Sequence, residues 1–99
     1  MNTADELLRL VFFPLILLFN KKRATPEEIR RFYRSEAWAR MRYEVLKDNP
    51  RCVVCGRMAK DTVMNVDHIQ PLHKRWDLRL SRRNLQTLCR TDNRGKGGR

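Results

Sequence analysis

The hydrophobic pattern of the chain begins with a run from Leu7 to Phe19 that is apolar except at Arg9 and Pro14. The preceding segment, Thr3-Ala4-Asp5-Glu6, has the residues of a capping box, in which a hydroxyl and a carboxylate satisfy the first free amides of a helix. We therefore predict a helix from about Ala4 to Phe19 that is kinked or split at the proline. A polar, basic linker follows it.

This predicted helix is apolar nearly all round, so packing one face would not bury it. The rest of the chain, a second copy of the chain, another protein or lipid can cover it. Its apolar length of about 13 residues is short of the ~20 that cross a bilayer. Asp5 and Glu6 at its start do not fit a signal peptide. We expect no membrane attachment, which stays the minority alternative for residues 7–19.

Two further helices are predicted between residues 25 and 49. Thr25-Pro26-Glu27-Glu28 combines a cap, a proline in the first turn and acids at the positive end of the helix dipole. Ser35 can cap a restart, which gives two helices that meet at a corner, and Asn49-Pro50 ends the second. Apolar residues recur at helical spacing and are predicted to be core rather than base-stacking groups: Phe32, Trp38, Met41, Val45 and Leu46.

The pattern then changes to short apolar runs separated by polar segments. Val63 to Val66 is predicted as a first strand and Leu85 to Leu88 as a second, joined by a long basic loop over residues 69–83. A short helix is predicted from about Arg90 to Arg94, with Gly95 ending it. Helices followed by two strands and a short helix predict a small α+β fold.

The charge of the chain points to a polyanionic partner. The 99 residues form one domain of ordinary size, and an apolar content of 41% allows a small core. The net charge is +11, and so strong a positive field favours nucleic acid over a plain basic surface or an anionic membrane.

The cysteines form a candidate zinc site. Cys52 and Cys55 lie in a C-x-x-C-G turn, Cys89 stands far downstream, and Asp92 follows Cys89 at the same spacing. Structural zinc takes four nearly tetrahedral ligands and accepts a carboxylate among them. An odd number of cysteines argues against a disulfide framework and favours a reducing cytoplasm. The alternative is that the cysteines are reduced and buried, with Asp92 capping a helix or exposed.

Asp67 and His68 are the candidate catalytic pair. A lone histidine in a strand is more often a packed core group, so the pair alone is a weak signal. The signal is strengthened by the amides of Asn84 and Asn93 and by a cationic helix that contains Lys96. An acid, an imidazole and an amide beside positive charge suit hydrolysis of a phosphodiester by one divalent metal.

These motifs together resemble the HNH endonuclease family. C-x-x-C-G, V-D-H-I-x-P-L, N-L-Q-x-L-C and a final x-x-K-G follow one another from Cys52 to Gly97, and F-Y-R-S-x-A-W precedes them. The resemblance covers roughly residues 32–97. It implies a ββα-metal (His-Me finger) core with a zinc knuckle over residues 50–97, after a helical lead-in over residues 25–49. Residues 25–99 would then form the nuclease domain, and residues 1–24 the apolar helix and linker.

The resemblance assigns roles to individual residues. His68 is the general base, Asp67 and Asn93 hold a catalytic Mg²⁺ or Mn²⁺, and Asn84 either braces the loop or fixes the His68 ring. Asn93 stands where the family has histidine, which makes this an H-N-N variant, and Asp92 replaces the last knuckle cysteine. Basic residues are expected to contact DNA, although exposure to solvent alone would explain several of them: Lys96, Arg94, Arg90, His73 and Lys74.

We therefore expect a metal-dependent endonuclease that hydrolyses DNA phosphodiester bonds by nicking, double-strand cleavage or both. Its expected ions are Mg²⁺ or Mn²⁺ at Asp67 and Asn93 and Zn²⁺ at the knuckle. One alternative is a zinc-stapled DNA-binding module without catalysis. Another is the nuclease subunit of a phage DNA-packaging or DNA-processing complex. The N-terminal helix would dock such a partner or form a homodimer, and the expected location is the cytoplasm of a bacterial host.

Overall fold

The computed structural model describes residues 23–97. The predicted N-terminal helix, and with it the proposed dimer or partner contact and the membrane alternative for residues 7–19, lies outside the described residues. Within residues 23–97, no helix combines the length and apolar character that crossing a bilayer requires. The predicted α+β class is confirmed, because these residues form helices and one two-stranded sheet.

Two capped helices form the lead-in. Helix α1 spans Pro26–Tyr33, and its capping box is complete: the Thr25 hydroxyl accepts from the Glu28 amide at 3.1 Å, and the Glu28 carboxylate accepts from the Thr25 amide at 3.2 Å. Helix α2 spans Glu36–Asp48, and the Ser35 hydroxyl accepts from the Trp38 amide at 3.2 Å. Both predicted helix starts are confirmed, since each depends on residues within one turn.

The sheet pairs two five-residue strands. Strand β1 spans Met64–His68 and strand β2 spans Leu85–Cys89, antiparallel, with Asp67 opposite Gln86 and His68 opposite Leu85. Both strands were predicted, but the predicted end of the first at Val66 was wrong, because the hydrogen-bonded ladder continues through both polar residues. The candidate catalytic pair is therefore inside the sheet rather than after it.

Helix α3 follows the second strand directly and spans Arg90–Lys96. The prediction that Gly95 ends it was wrong. The helix instead ends at Gly97, whose φ of 61° lies in a region that residues with a Cβ rarely adopt. The two additional residues keep Lys96 within the helix, where its ammonium reaches Asp67 of β1.

The core consists of two packed groups of buried side chains. The larger lies between the lead-in helices and the loop before the second strand: Phe32, Trp38, Val45, Leu72 and Leu85. The smaller lies behind the cysteine turn: Cys52, Met64, Leu88 and Cys89. The aromatic residues Phe32 and Trp38 are thus core groups, as predicted. Helix α2 packs on both strands, so the lead-in and the core share one interior.

Candidate functional site

A cleft of about 300 Å³ opens beside β1 and α3. Asp67 and His68 line it from the strand, and Asn93 lines it from the helix. The loop and α1 contribute further lining residues, among them His73 and Tyr33. The acid, imidazole and amide that were predicted from separate motifs therefore meet in one place.

The His68 ring is fixed in one orientation and one tautomer. It is only 5% exposed and stacks on Trp38, with ring centroids 5.0 Å apart and an interplanar angle of 25°. Its Nε2 lies 2.9 Å from the carbonyl oxygen of Arg79. Because a carbonyl only accepts, Nε2 carries the proton and Nδ1 keeps its lone pair. Burial lowers the pKa of His68 below its ordinary value, which keeps the ring neutral near pH 7.

The carbonyl that holds His68 is itself held by packing. The Arg79 guanidinium lies 4.7 Å from the centre of the Trp76 ring and donates to the Trp76 carbonyl at 3.0 Å. The Trp76 ring meets Phe32 edge-on at 5.6 Å. The loop turn at Trp76–Leu78 is thereby fastened to the lead-in helices, and the orientation of His68 depends on that attachment.

The Asp67 carboxylate has two donors on one oxygen. Its Oδ2 accepts from Gln86 Nε2 at 3.0 Å and from Lys96 Nζ. The same ammonium group donates to the carbonyl oxygens of His68, at 2.7 Å, and Ile69, at 3.4 Å. Among residues 23–97 no hydrogen bond engages Asp67 Oδ1, and no buried side-chain polar atom lacks a partner. Oδ1 is therefore the oxygen that remains accessible to an ion.

Asn84 ties the start of the loop to its end. Its Oδ1 accepts from the Gln70 amide at 2.8 Å and its Nδ2 donates to the Gln70 carbonyl at 3.1 Å. The Ile69 amide donates to the Asn84 carbonyl at 2.8 Å. Asn84 is 5% exposed. Of the two roles predicted for it, this geometry corresponds to bracing the loop.

The four predicted zinc ligands converge at the start of α3. The ligand atoms of Cys52, Cys55, Cys89 and Asp92 all lie within 4.8 Å of one another. The Cys55 and Cys89 sulfurs are 3.7 Å apart, close to the roughly 3.8 Å that two tetrahedral zinc–sulfur bonds of ~2.3 Å require. The cluster can hold a metal ion, and its donor set suits zinc.

The local electrostatics favour the anionic form of Cys52 and Asp92 but not of Cys55. The backbone amide of Arg57 is the largest influence on Cys55 and lowers its pKa, but burial and hydrogen bonds with Asp92, Cys52 and Cys89 outweigh it and raise the pKa to about 11. Burial is the largest influence on Cys52 and opposes ionisation. The backbone amides of Cys55, Cys89 and Val54 outweigh it and lower the pKa of Cys52. Hydrogen bonds from Cys89 and then Cys52 lower the pKa of the Asp92 carboxyl. Amides directed at sulfur and an ionised carboxylate are what a dipositive ion needs around it.

Comparison with known proteins adds an independent observation. The family model described as HNH endonuclease matches residues 52–99. The crystal structure of the HNH endonuclease of the deep-sea thermophilic bacteriophage GVE2, with manganese ion, matches with a TM-score of 0.60 and 41% sequence identity. The match covers 71% of this chain and 78% of that one. The chain belongs to the HNH endonuclease family. No curated protein matches it.

As an HNH endonuclease, the chain is a nuclease. Asp67 and Asn93 line its cleft, and a carboxylate and an amide oxygen are donors that suit a hard divalent cation. Asn93 and Asp92, the two departures from the expected family pattern, each offer an oxygen donor where a nitrogen and a sulfur donor were expected.

The basic residues predicted to contact DNA fall into two groups in this HNH fold. Lys74, Arg90 and Arg94 are exposed outside the cleft lining, whereas His73 and Lys96 line the cleft. Lys96 was expected to meet phosphate, and the structure places its ammonium on Asp67 instead.

The sequence predictions missed two residues of the cleft neighbourhood, Gln86 and Tyr33. The strand register reveals Gln86 once Asp67 is assigned, because the two are cross-strand partners. Tyr33 lies in α1, far from the other site residues in sequence. It belongs to the F-Y-R-S-x-A-W segment, but nothing in that segment marks it as a cleft residue.

Proposed function

We propose that this nuclease hydrolyses phosphodiester bonds in DNA with one divalent ion, His68 acting as the general base. The observation that supports this proposal is the meeting of Asp67, His68 and Asn93 in one cleft. DNA as the substrate is supported by the family, by the net charge of +11 and by the exposed basic residues outside the cleft.

In the proposed reaction, His68 Nδ1 takes a proton from a water molecule. The water oxygen forms a bond to phosphorus while the bond from phosphorus to the 3′ oxygen breaks. A neutral, buried imidazole with a fixed tautomer suits this task, since it needs no reorganisation before accepting the proton. The Arg79 carbonyl stabilises the resulting imidazolium through the Nε2 proton.

Asp67 and Asn93 would hold the ion, and their oxygen donors fit Mg²⁺ or Mn²⁺. When bound, the ion stabilises the charge that develops on the phosphate and on the leaving oxygen. The phage relative was determined with manganese, which supports Mn²⁺ as one usable ion. Lys96 would supply a second positive charge in the cleft, and Gln86 would keep Asp67 in place.

Zinc at Cys52, Cys55, Cys89 and Asp92 would have a structural role. All four positions are filled by protein ligands, which leaves none for water or substrate. The three cysteines are free thiols, which supports a reducing compartment such as the cytoplasm.

Supercoiled plasmid incubated with the full chain tests the proposal. We expect conversion to open-circular DNA with Mg²⁺ or Mn²⁺ and none with EDTA. A DNA-binding module without catalysis would retard the plasmid on a gel without nicking it under any ion. Linear product appearing with the open-circular form would show double-strand cleavage.

A further inference from the structure

Helix α1 contributes an aromatic residue to the wall of the cleft. Tyr33, its last residue, lines the cleft together with Asp67, His68 and Asn93. Residues 52–99 are the part of the chain that the family model matches, so Tyr33 reaches the site from outside that part. The cleft is thus completed by the lead-in and not by the ββα elements alone.

The Tyr33 ring is held in place by its neighbours. It meets Trp38 edge-on at 5.6 Å and 72°, and it meets His68 edge-on at 6.3 Å and 64°. Phe32 contacts it from the same helix at 5.8 Å. These contacts fix the ring direction while 48% of the residue remains exposed. Because the ring is already oriented, the Tyr33 side chain loses little conformational entropy when a ligand binds to it.

The Tyr33 hydroxyl is an available donor at the cleft. Among residues 23–97 nothing forms a hydrogen bond with it. Burial and then the nearby Asp67 charge raise the pKa of Tyr33, so the phenol stays protonated. This protonated phenol has no hydrogen-bond partner among residues 23–97 and lies beside the groups that would act on a phosphodiester. A phosphate oxygen is an acceptor that suits it.

We propose that Tyr33 contacts the substrate, its hydroxyl donating a hydrogen bond to a phosphate oxygen of the nucleic acid strand that enters the cleft. This inference deepens the proposed function and rests on it. Most protein hydrogen bonds to DNA go to phosphate and sugar and fix the register of the strand. Tyr33 would therefore set how the strand lies against His68, and the lead-in helix becomes part of the substrate-binding surface.

Tyr33→Phe is the sharpest test, because it keeps the ring and its packing and removes only the donor. We expect KM for plasmid nicking to rise about tenfold and kcat to stay within about twofold of the wild-type value. This is the pattern for a hydrogen bond that is equally strong in the bound substrate and in the transition state. Binding of a fluorescent duplex, followed by anisotropy with no Mg²⁺ or Mn²⁺ added and no chelator present, should weaken by a similar factor. The melting temperature should not change.

Tyr43→Phe is the matched control, since Tyr43 is 66% exposed and does not line the cleft. It should leave KM, duplex affinity and melting temperature at wild-type values. If Tyr33→Phe matches wild type in both KM and duplex affinity, the proposal is overturned. Loss in Tyr33→Ala but not in Tyr33→Phe would also overturn it, because the ring and not the hydroxyl would then be responsible.

The two measurements, plasmid nicking and duplex binding by anisotropy, test this inference and the proposed function separately. A wild-type chain that binds the duplex but nicks no plasmid under any ion would contradict the proposed function. In that case the anisotropy arm still decides the role of Tyr33. A wild-type chain that nicks, with a Tyr33→Phe variant that nicks and binds identically, would contradict the inference alone.

Discussion

Gln86 lies directly opposite Asp67 in the antiparallel sheet and donates a hydrogen bond to its Oδ2 at 3.0 Å. Lys96 donates to the same oxygen from α3. The two donors together fix the carboxylate so that Oδ1 is the oxygen available to an ion. The strand register therefore determines the orientation of the proposed metal ligand.

Replacing Gln86 tests this relationship. Gln86→Leu removes one of the two donors to Oδ2, so that Lys96 alone holds the carboxylate and its orientation is less fixed. Loss of such a supporting group typically costs about 10–100-fold in metal affinity. We expect a weakening in this range for Mn²⁺, measured by calorimetry or by the electron paramagnetic resonance of the free ion. Gln70→Ala is the control, because Gln70 bonds to Asn84 through its backbone alone. Equal Mn²⁺ affinity in Gln86→Leu and wild type would contradict the assignment.

The cysteine cluster predicts a zinc dependence of stability. Metal analysis of the purified chain should find one zinc per molecule, and Cys52→Ser should abolish it. Structural zinc contributes ~10–16 kcal/mol in small zinc-finger peptides, more than a typical domain's net stability. Chelation should therefore unfold residues 25–97 together, which circular dichroism would show as loss of the cooperative thermal transition.

Asp92 has its own test within that cluster. Asp92→Asn should lower the zinc content, whereas Asp61→Asn should not, because Asp61 is an exposed turn residue outside the cluster. Full zinc occupancy in Asp92→Asn would show that three cysteines suffice and that the carboxylate is not a ligand.

How much could be predicted depended on how local each feature is. The helix starts at Thr25 and Ser35 were predictable because each cap acts within three residues of itself. The end of β1 was not, since Asp67 and His68 are polar and their place in the ladder depends on pairing with the distant second strand.

The site shows the same division. Four metal ligands and the catalytic pair follow motifs with fixed spacing, so their convergence could be predicted from the sequence. The partner of Lys96 could not, because it depends on where α3 ends and how it packs on β1. Tyr33 joins the cleft by tertiary packing alone, which leaves no signal in the spacing of residues.

Replacing Asn84 should destabilise the loop rather than remove a catalytic group. Asn84→Ala removes two side-chain hydrogen bonds in a buried position and leaves the Gln70 backbone groups without partners. We expect a loss of about 2–4 kcal/mol in the free energy of unfolding, measured in urea, and slower nicking because the loop also holds Arg79. Asn65→Ala is the control, because Asn65 lies in β1 and is only partly buried. It should change stability by less than ~0.5 kcal/mol.

Thr87 connects strand β2 to the end of the lead-in helix α2. Its hydroxyl is fully buried and donates to the Asn49 carbonyl at 2.6 Å. Thr87→Val keeps the volume and removes the donor, so the free energy of unfolding should fall by about 1–3 kcal/mol. The urea transition should stay single, because residues 25–97 share one interior. Two separate transitions would mean that the lead-in folds independently of the core.

The described residues contain two imidazoles, and the proposed mechanism assigns the general base to His68 rather than to His73. His68 is buried, with its tautomer fixed by Arg79, whereas His73 is exposed at the cleft edge. Replacing each histidine by alanine distinguishes a general base from a surface contact. Loss of the general base lowers kcat, whereas loss of a surface contact weakens DNA binding and raises KM.

Plasmid nicking by His68→Ala and His73→Ala at saturating DNA, with Mg²⁺ or Mn²⁺, is the most direct measurement. We predict that His68→Ala loses at least about 100-fold in kcat while it still binds duplex DNA. His73→Ala should retain its kcat and show at most a raised KM. Undiminished nicking by a correctly folded His68→Ala variant would contradict the central claim.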